Sequence, residues 1–387
     1  MDGFINFMEK HFIPHASKIG NQRHLIAIRD AFTVTMPLMI LGALAVMLNN
    51  LPIDAFQNFM NGIFGGEAWK GFGGAVWNGT FGVLSVFIAF LVAYNLAHHY
   101  GKDPIGTGVV SVASFFTLGA ATSGMNSSGL FVALIVGIAV AEIFTRLVGN
   151  EKLVVKMPDG VPPAVARSFA SLFPAMITVS IFGLIAAVIA GFGVEDMFAE
   201  FYALVQEPFM GLANSYGSAL LIAFITPFLW FFGLHGANMI DPFMQAINAP
   251  AIEANNAALS AGKAAPYIVN KPFMVVNNLA AAPGIFNINE PLMFGLPLVL
   301  NPIMFIPFIL TPMVCVTTAY FATSLGWVPA ATVMPPWVTP PIIGGFLATQ
   351  SFSGAILAAV NLVISIVMYV PFVSLATRQE LKKVAEA

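Results

Sequence analysis

One carboxylate, Glu290, stands in the stretch GIFNINEPLMFGLPLVLNP (284–302), with Asn287 and Asn289 before it and Pro291 after it. One imidazole, His235, sits between the glycines Gly233 and Gly236 in WFFGLHGAN (230–238), three residues before Asn238. An ionisable group in such apolar surroundings is costly and is retained for a ligand or an ion. An acid, amides and an imidazole together offer the donors and acceptors that hydroxyls need, and Trp230 offers an apolar wall for a ring face. Gly236 lets another group approach the backbone closely. A sugar is the ligand that fits this set. Glu290 has a structural role open to it as well, because an acid followed by proline suits a helix start.

The remaining polar residues have plainer readings. His11, His15, His24, His98 and His99 fall in charged segments and read as solvated side chains. Glu142 precedes Arg146 by four residues, the spacing of an ion pair on one helix face. Asp241 precedes Pro242, which favours a turn or cap. Cys315, the one cysteine, lies in an apolar run and reads as a small buried hydrophobe, so no disulfide forms within one chain. No phosphate-binding loop, zinc motif or nucleotide fingerprint occurs, so no metal or cofactor is expected and the chain does not hydrolyse ATP itself.

The elements that must position these residues follow from composition. The 387 residues are 58% hydrophobic and only 9% charged, against roughly 25% charged in soluble domains. The net charge of -3 gives no reason for a nucleic-acid partner. A bilayer crossing takes about 20 mostly apolar residues. Such runs occur at roughly 31–51, 76–97, 104–122, 129–148, 173–193, 215–234, 298–324 and 352–376. The expectation is an all-α polytopic membrane protein with about eight spans, since a lipid-exposed backbone must bond within itself. Threading the spans puts twelve Lys and Arg on one side and only Lys70 on the other, with Lys263 and Lys271 unassigned. Both termini are therefore expected in the cytoplasm.

Residues 1–30 read as an interfacial amphipathic helix, with Phe4, Met8 and Phe12 on one face, and 194–211 as a second surface helix. The connector 149–172, most polar at 149–163, divides an N-terminal scaffold (1–148) from a C-terminal half (173–387). Two stretches in that half, 233–302 and 333–345, look too broken by Pro, Gly and Asn for ordinary helices. Irregular backbone at membrane depth lines cavities, so re-entrant hairpins around a substrate site are expected there.

Three stretches carry a family resemblance: RHLIAIRDAFTVTMPLMILGAL (23–44), WFFGLHGAN, and PGIFNINEPLMFGLPLVLNPIMFIPF (283–308). They resemble the membrane component, enzyme IIC, of the bacterial sugar phosphotransferase system, in its lactose/cellobiose/diacetylchitobiose branch. The resemblance implies a permease that moves a β-linked disaccharide, coupled to phosphorylation by a separate IIB protein served by IIA. The phosphoryl donor would be a phosphocysteine on IIB, so this chain would be the non-phosphorylated subunit. His235 and Glu290 match the residues that meet the hydroxyl to be phosphorylated, and Trp230 and Trp337 match positions around the sugar rings. Asn238 and Asn289 are supporting contacts. A homodimer through the N-terminal half is also implied. Relatives have a further membrane-length segment between a block like IVNKPFM (268–274) and one like NNLAAAPGIFN (277–287). Here the two blocks nearly abut; about eight spans are expected in this chain against about ten implied for the family. The competing reading is a proton-coupled secondary sugar transporter, with Glu290 and His235 carrying protons.

Overall fold

Apolar runs of this length satisfy their backbone as helices, and the described residues contain helices and no strand. The computed structural model describes residues 21–49, 54–153, 169–232, 236–269, 301–335 and 339–386, with a few isolated positions between them. Six helices among the described residues are long and apolar enough to cross a membrane: Arg23–Gly42, Glu67–His99, Ser127–Val148, Leu172–Gly191, Pro302–Ser324 and Phe352–Arg378. Pro104–Thr117 and Tyr216–Phe231 are shorter apolar helices. These eight coincide with the eight expected runs, although the first begins at Arg23 instead of residue 31. Charged residues in its first two turns hid that start from a hydropathy reading.

We label the helices α1 (Arg23–Asn49), α2 (Asp54–Phe64), α3 (Lys70–Gly79), α4 (Leu84–His99), α5 (Pro104–Thr117), α6 (Leu130–Val148) and α7 (Leu172–Gly191). There follow α8 (Met197–Phe201), α9 (Glu207–Ala213), α10 (Tyr216–Phe231), α11 (Gly236–Ser260), α12 (Pro302–Ser324), α13 (Pro341–Thr349) and α14 (Phe352–Glu386). Contacts group them into two units. One is built from Asn21–Met39 and Asn78–Phe209, the other from Ile40–Trp77 and Met210–Ala387.

In the first unit α4 packs on α5 and α6, and α7 packs on α5 and α6. Small residues set the approach. A Cβ on Gly108 would meet the Phe90 ring at 2.6 Å, and one on Gly137 would meet Val92 at 2.9 Å. Ser111 Oγ donates to the Ala89 carbonyl at 2.7 Å, a polar link between two membrane helices. The expected surface helix after α7 is helical as read, but in three pieces, with a π-helical turn at Tyr202–Gln206 between α8 and α9. Asp196 caps α8, accepting from the Phe198 and Ala199 amides and from Ser123 Oγ. Those bonds hold its carboxyl below the usual carboxylate range.

In the second unit α12 packs between α10 and α14, and α13 packs on α14. A buried polar knot joins α12 to α14: Thr318 Oγ1 donates to Asn361 Oδ1 at 2.6 Å, and Asn361 Nδ2 donates to the Cys315 carbonyl at 3.3 Å. Cys315 is buried, as expected. The α13–α14 contact is backbone on backbone. A Cβ on Gly345 would stand 2.5 Å from the Gly354 carbonyl and 3.0 Å from Ala358 Cβ, whereas one on Gly344 would meet nothing nearer than 3.8 Å. Gly345→Ala is therefore expected to destabilise the protein by about 1–3 kcal/mol through overpacking. Gly344→Ala should be neutral or slightly stabilising, a helix glycine being worse than alanine by ~0.5–1 kcal/mol. Thermal unfolding of the two variants in one detergent checks the difference.

Candidate functional site

Trp230 is half-buried on the last turn of α10, Gly236 opens α11, and Asn238 lies in the first turn of α11. His235, Asn289, Glu290 and Trp337 lie outside the described residues. Phe231 and Phe232, next to Trp230, are buried among Phe228, Phe305 and Phe308. The Phe231 and Phe305 rings meet edge to face with centroids 4.7 Å apart. Phe305 sits in the first turn of α12, which Asn301 caps by accepting from the Ile303 amide at 3.0 Å. The start of α12 thus packs against the end of α10 that carries Trp230.

Asparagines hold the flanks of the irregular segments. Asn255, on α11, donates to the Tyr267 carbonyl at 2.7 Å and the Ala331 carbonyl at 2.8 Å, and accepts from the Tyr267 amide at 2.9 Å. Asn214 Oδ1 accepts from the amides of Ile268 and Val269 at 2.7 and 2.8 Å. Backbone without helix or sheet partners thereby finds bonds in side chains. Thr332 and Val333 amides also donate to the Ala348 carbonyl, tying the 331–335 stretch to α13. Neither Asn255 nor Asn214 is among the residues that the sequence reading singles out. A signal for them exists: amides in a chain this apolar are expensive unless bonded.

Three expectations need correction. The 233–302 region is not broken throughout, because Gly236–Ser260 is one α-helix despite Pro242 and Pro250. Each proline removes only one helical bond, alanines fill the rest, and burial of Ala246, Ala249, Ala251 and Ile252 outweighs local propensity. Asp241 consequently lies inside α11 and not in a turn. His24 is not simply solvated: its Nε2 bonds Glu142 Oε1 at 3.0 Å.

That bond belongs to a charged cluster remote in sequence from the residues expected to bind sugar. Glu142 pairs with Arg146, as the four-residue spacing implied, and also accepts from the Tyr100 hydroxyl. Burial, then the bond to Glu142, pushes the Tyr100 hydroxyl up to about 12, so it remains a donor. Arg23 lies 5.8 Å over the Tyr100 ring. An open cleft of about 880 Å³ is lined by this cluster together with Lys102, Thr145, Gly149 and Asn150. Its place at the ends of α4 and α6 and the start of α1 makes it a clamp on helix termini. Among the described residues, no three His, Cys, Asp or Glu side chains converge on a metal position.

Apolar helices of membrane-spanning length, with irregular segments held by side-chain amides, define a multi-pass helical membrane protein. The family described as Phosphotransferase system, EIIC matches residues 29–278 and 275–312, and this chain belongs to it as a permease component. It is 35% identical to the PTS system oligo-beta-mannoside-specific EIIC component of Bacillus subtilis, over 98% of this chain and 95% of the relative. It is 26% identical to the lactose-specific EIICB component of Staphylococcus haemolyticus, over 99% of this chain and 72% of that one. The crystal structure of the transporter ChbC, the IIC component from the N,N'-diacetylchitobiose-specific phosphotransferase system, superposes with a TM-score of 0.91 at 31% identity, covering 98% of this chain and 99% of that one. The mannoside relative aligns over 429 positions, more than the 387 residues here, so it carries residues with no counterpart in this chain. The two family-matched stretches overlap at 275–278, where the sequence blocks abut.

Proposed function

We propose that this chain carries a β-linked disaccharide of the cellobiose, diacetylchitobiose or lactose type across the bacterial cytoplasmic membrane and presents it to IIB for phosphorylation. The observation that carries the reading is near full-length similarity to EIIC components whose names specify β-mannosides, diacetylchitobiose and lactose. The lactose relative is an EIICB protein, which supports a IIB partner, itself served by IIA. In this reading Glu290 orients or deprotonates the accepting hydroxyl, and His235 holds it. Gly236, Asn238 and Asn289 line the polar side of the site. Trp230 and Trp337 cover the ring faces. Phosphoryl transfer is mainly positioning and charge stabilisation, so no nucleophile is required of this chain. Both termini face the cytoplasm, where IIB docks, and the N-terminal half (1–148) forms a homodimer. The C-terminal half (173–387) bears the sugar.

Calorimetric titration of the purified protein with cellobiose, diacetylchitobiose and lactose tests the reading. At least one sugar should bind, and binding of none would count against it. With that sugar, Trp230→Ala is expected to weaken affinity about tenfold, the loss of ~1.4 kcal/mol of ring stacking. Affinity within error of the parent would remove Trp230 from the site.

A further inference from the structure

Asn248 and Asn256 on α11 are 1% and 3% exposed, and neither amide nitrogen nor oxygen in either residue has a hydrogen-bond partner among the described residues. Asn255 on the same helix is also buried, and its amide is bonded through both atoms. The helix therefore carries two kinds of buried amide, one structural and one unsatisfied. Unpaired buried amides destabilise a fold, more so where no water reaches them. Their retention points to a partner from outside the described helices. Gln350 shows the same condition. Its Nε2 donates to Thr332 Oγ1 at 2.9 Å, while its Oε1 is buried without a partner among the described residues. It is also the one non-glycine residue among those described with positive φ, at 53°. It caps the C-terminus of α13, where a left-handed residue is a common helix ending. The Ala331 carbonyl bonded by Asn255 adjoins Thr332, so Asn255, the neighbour of Asn256, and Gln350 meet one stretch of backbone at 331–332.

We propose that Asn248, Asn256 and Gln350 are further sugar-binding groups, taking hydroxyls of the disaccharide along α11. This inference rests on the sugar-carrier reading above. Each amide offers both a donor pair and an acceptor, which matches hydroxyls that give one bond and receive another. Asn248 and Asn256 are eight residues apart, about 12 Å along the helix axis, a span suited to two linked rings. Both lie on the helix that Gly236 and Asn238 open.

The test uses the full chain and compares Asn248→Leu, Asn256→Leu and Asn255→Leu. Two quantities are read: the unfolding midpoint without sugar, and the dissociation constant for whichever of the three disaccharides the parent binds. Removing an unsatisfied amide should raise the midpoint, by about 2 °C or more, and weaken sugar binding about tenfold. Asn255→Leu should lower the midpoint. If leucine fits badly, Asn248→Ala and Asn256→Ala are read by the midpoint gain that saturating sugar confers, which should shrink relative to the parent. Lower midpoints with unchanged affinity would make these amides structural and overturn the inference. Raised midpoints with unchanged affinity would overturn it too. A parent that binds none of the sugars would refute the carrier reading itself, whatever the variants do.

Discussion

Glu290→Gln is expected to cut sugar phosphorylation by about 100- to 10,000-fold, the usual contribution of a general base, while sugar binding changes far less. Glutamine keeps the size of the side chain and much of its hydrogen bonding, so the fold should persist. The charge is what is lost. A carboxylate beside the accepting hydroxyl can take its proton as the phosphoryl group arrives, and an amide cannot. The measurement is sugar-phosphate formation in membranes supplied with phosphorylated IIB, set beside calorimetric affinity for the same sugar. Unchanged phosphorylation with lost binding would reduce Glu290 to a residue that only holds the ligand.

A disulfide locking the N-terminal half to the C-terminal half should abolish transport and spare sugar binding. In the proposed reading the site groups all belong to the C-terminal half, from Trp230 to Trp337, and moving them as one body would keep their bonds to the sugar. Breaking those bonds midway would leave buried polar groups unpaired, at a cost of several kcal/mol each. The background for such cysteine pairs must lack Cys315. Its Sγ lies 3.5 Å from Ser365 Oγ and 3.7 Å from the Asn361 carbonyl, inside the knot between α12 and α14. Alanine is the replacement that leaves no buried hydroxyl behind. Transport at the normal rate in fully locked protein would favour local gating around α11 instead.

Composition made the membrane class legible, and hydropathy located each span, because a bilayer leaves an apolar run one way to satisfy its backbone. The Glu142–Arg146 pair was readable for the same kind of reason, since both partners sit on one helix at fixed spacing. His24 and Tyr100 reach Glu142 from other segments, and no local spacing encodes that meeting. Gly236–Ser260 is hidden in the sequence because proline counts weigh local propensity, whereas burial of the Ala246–Ile252 face decides the outcome. The difference between Asn255 and Asn256 is invisible in sequence, where they are identical neighbours. Only the packing of 267 and 331 against one of them separates a bonded amide from an unsatisfied one.

The most direct measurement of the central claim is sugar uptake into right-side-out or reconstituted vesicles loaded with phosphoenolpyruvate, the general phosphotransferase proteins, IIA and IIB. The account predicts that uptake requires phosphoenolpyruvate, survives a protonophore, and yields sugar phosphate as the only accumulated form. Uptake of unmodified sugar that continues without phosphoenolpyruvate and collapses when the protonophore is added would contradict it, and would make His235 and Glu290 a proton pathway.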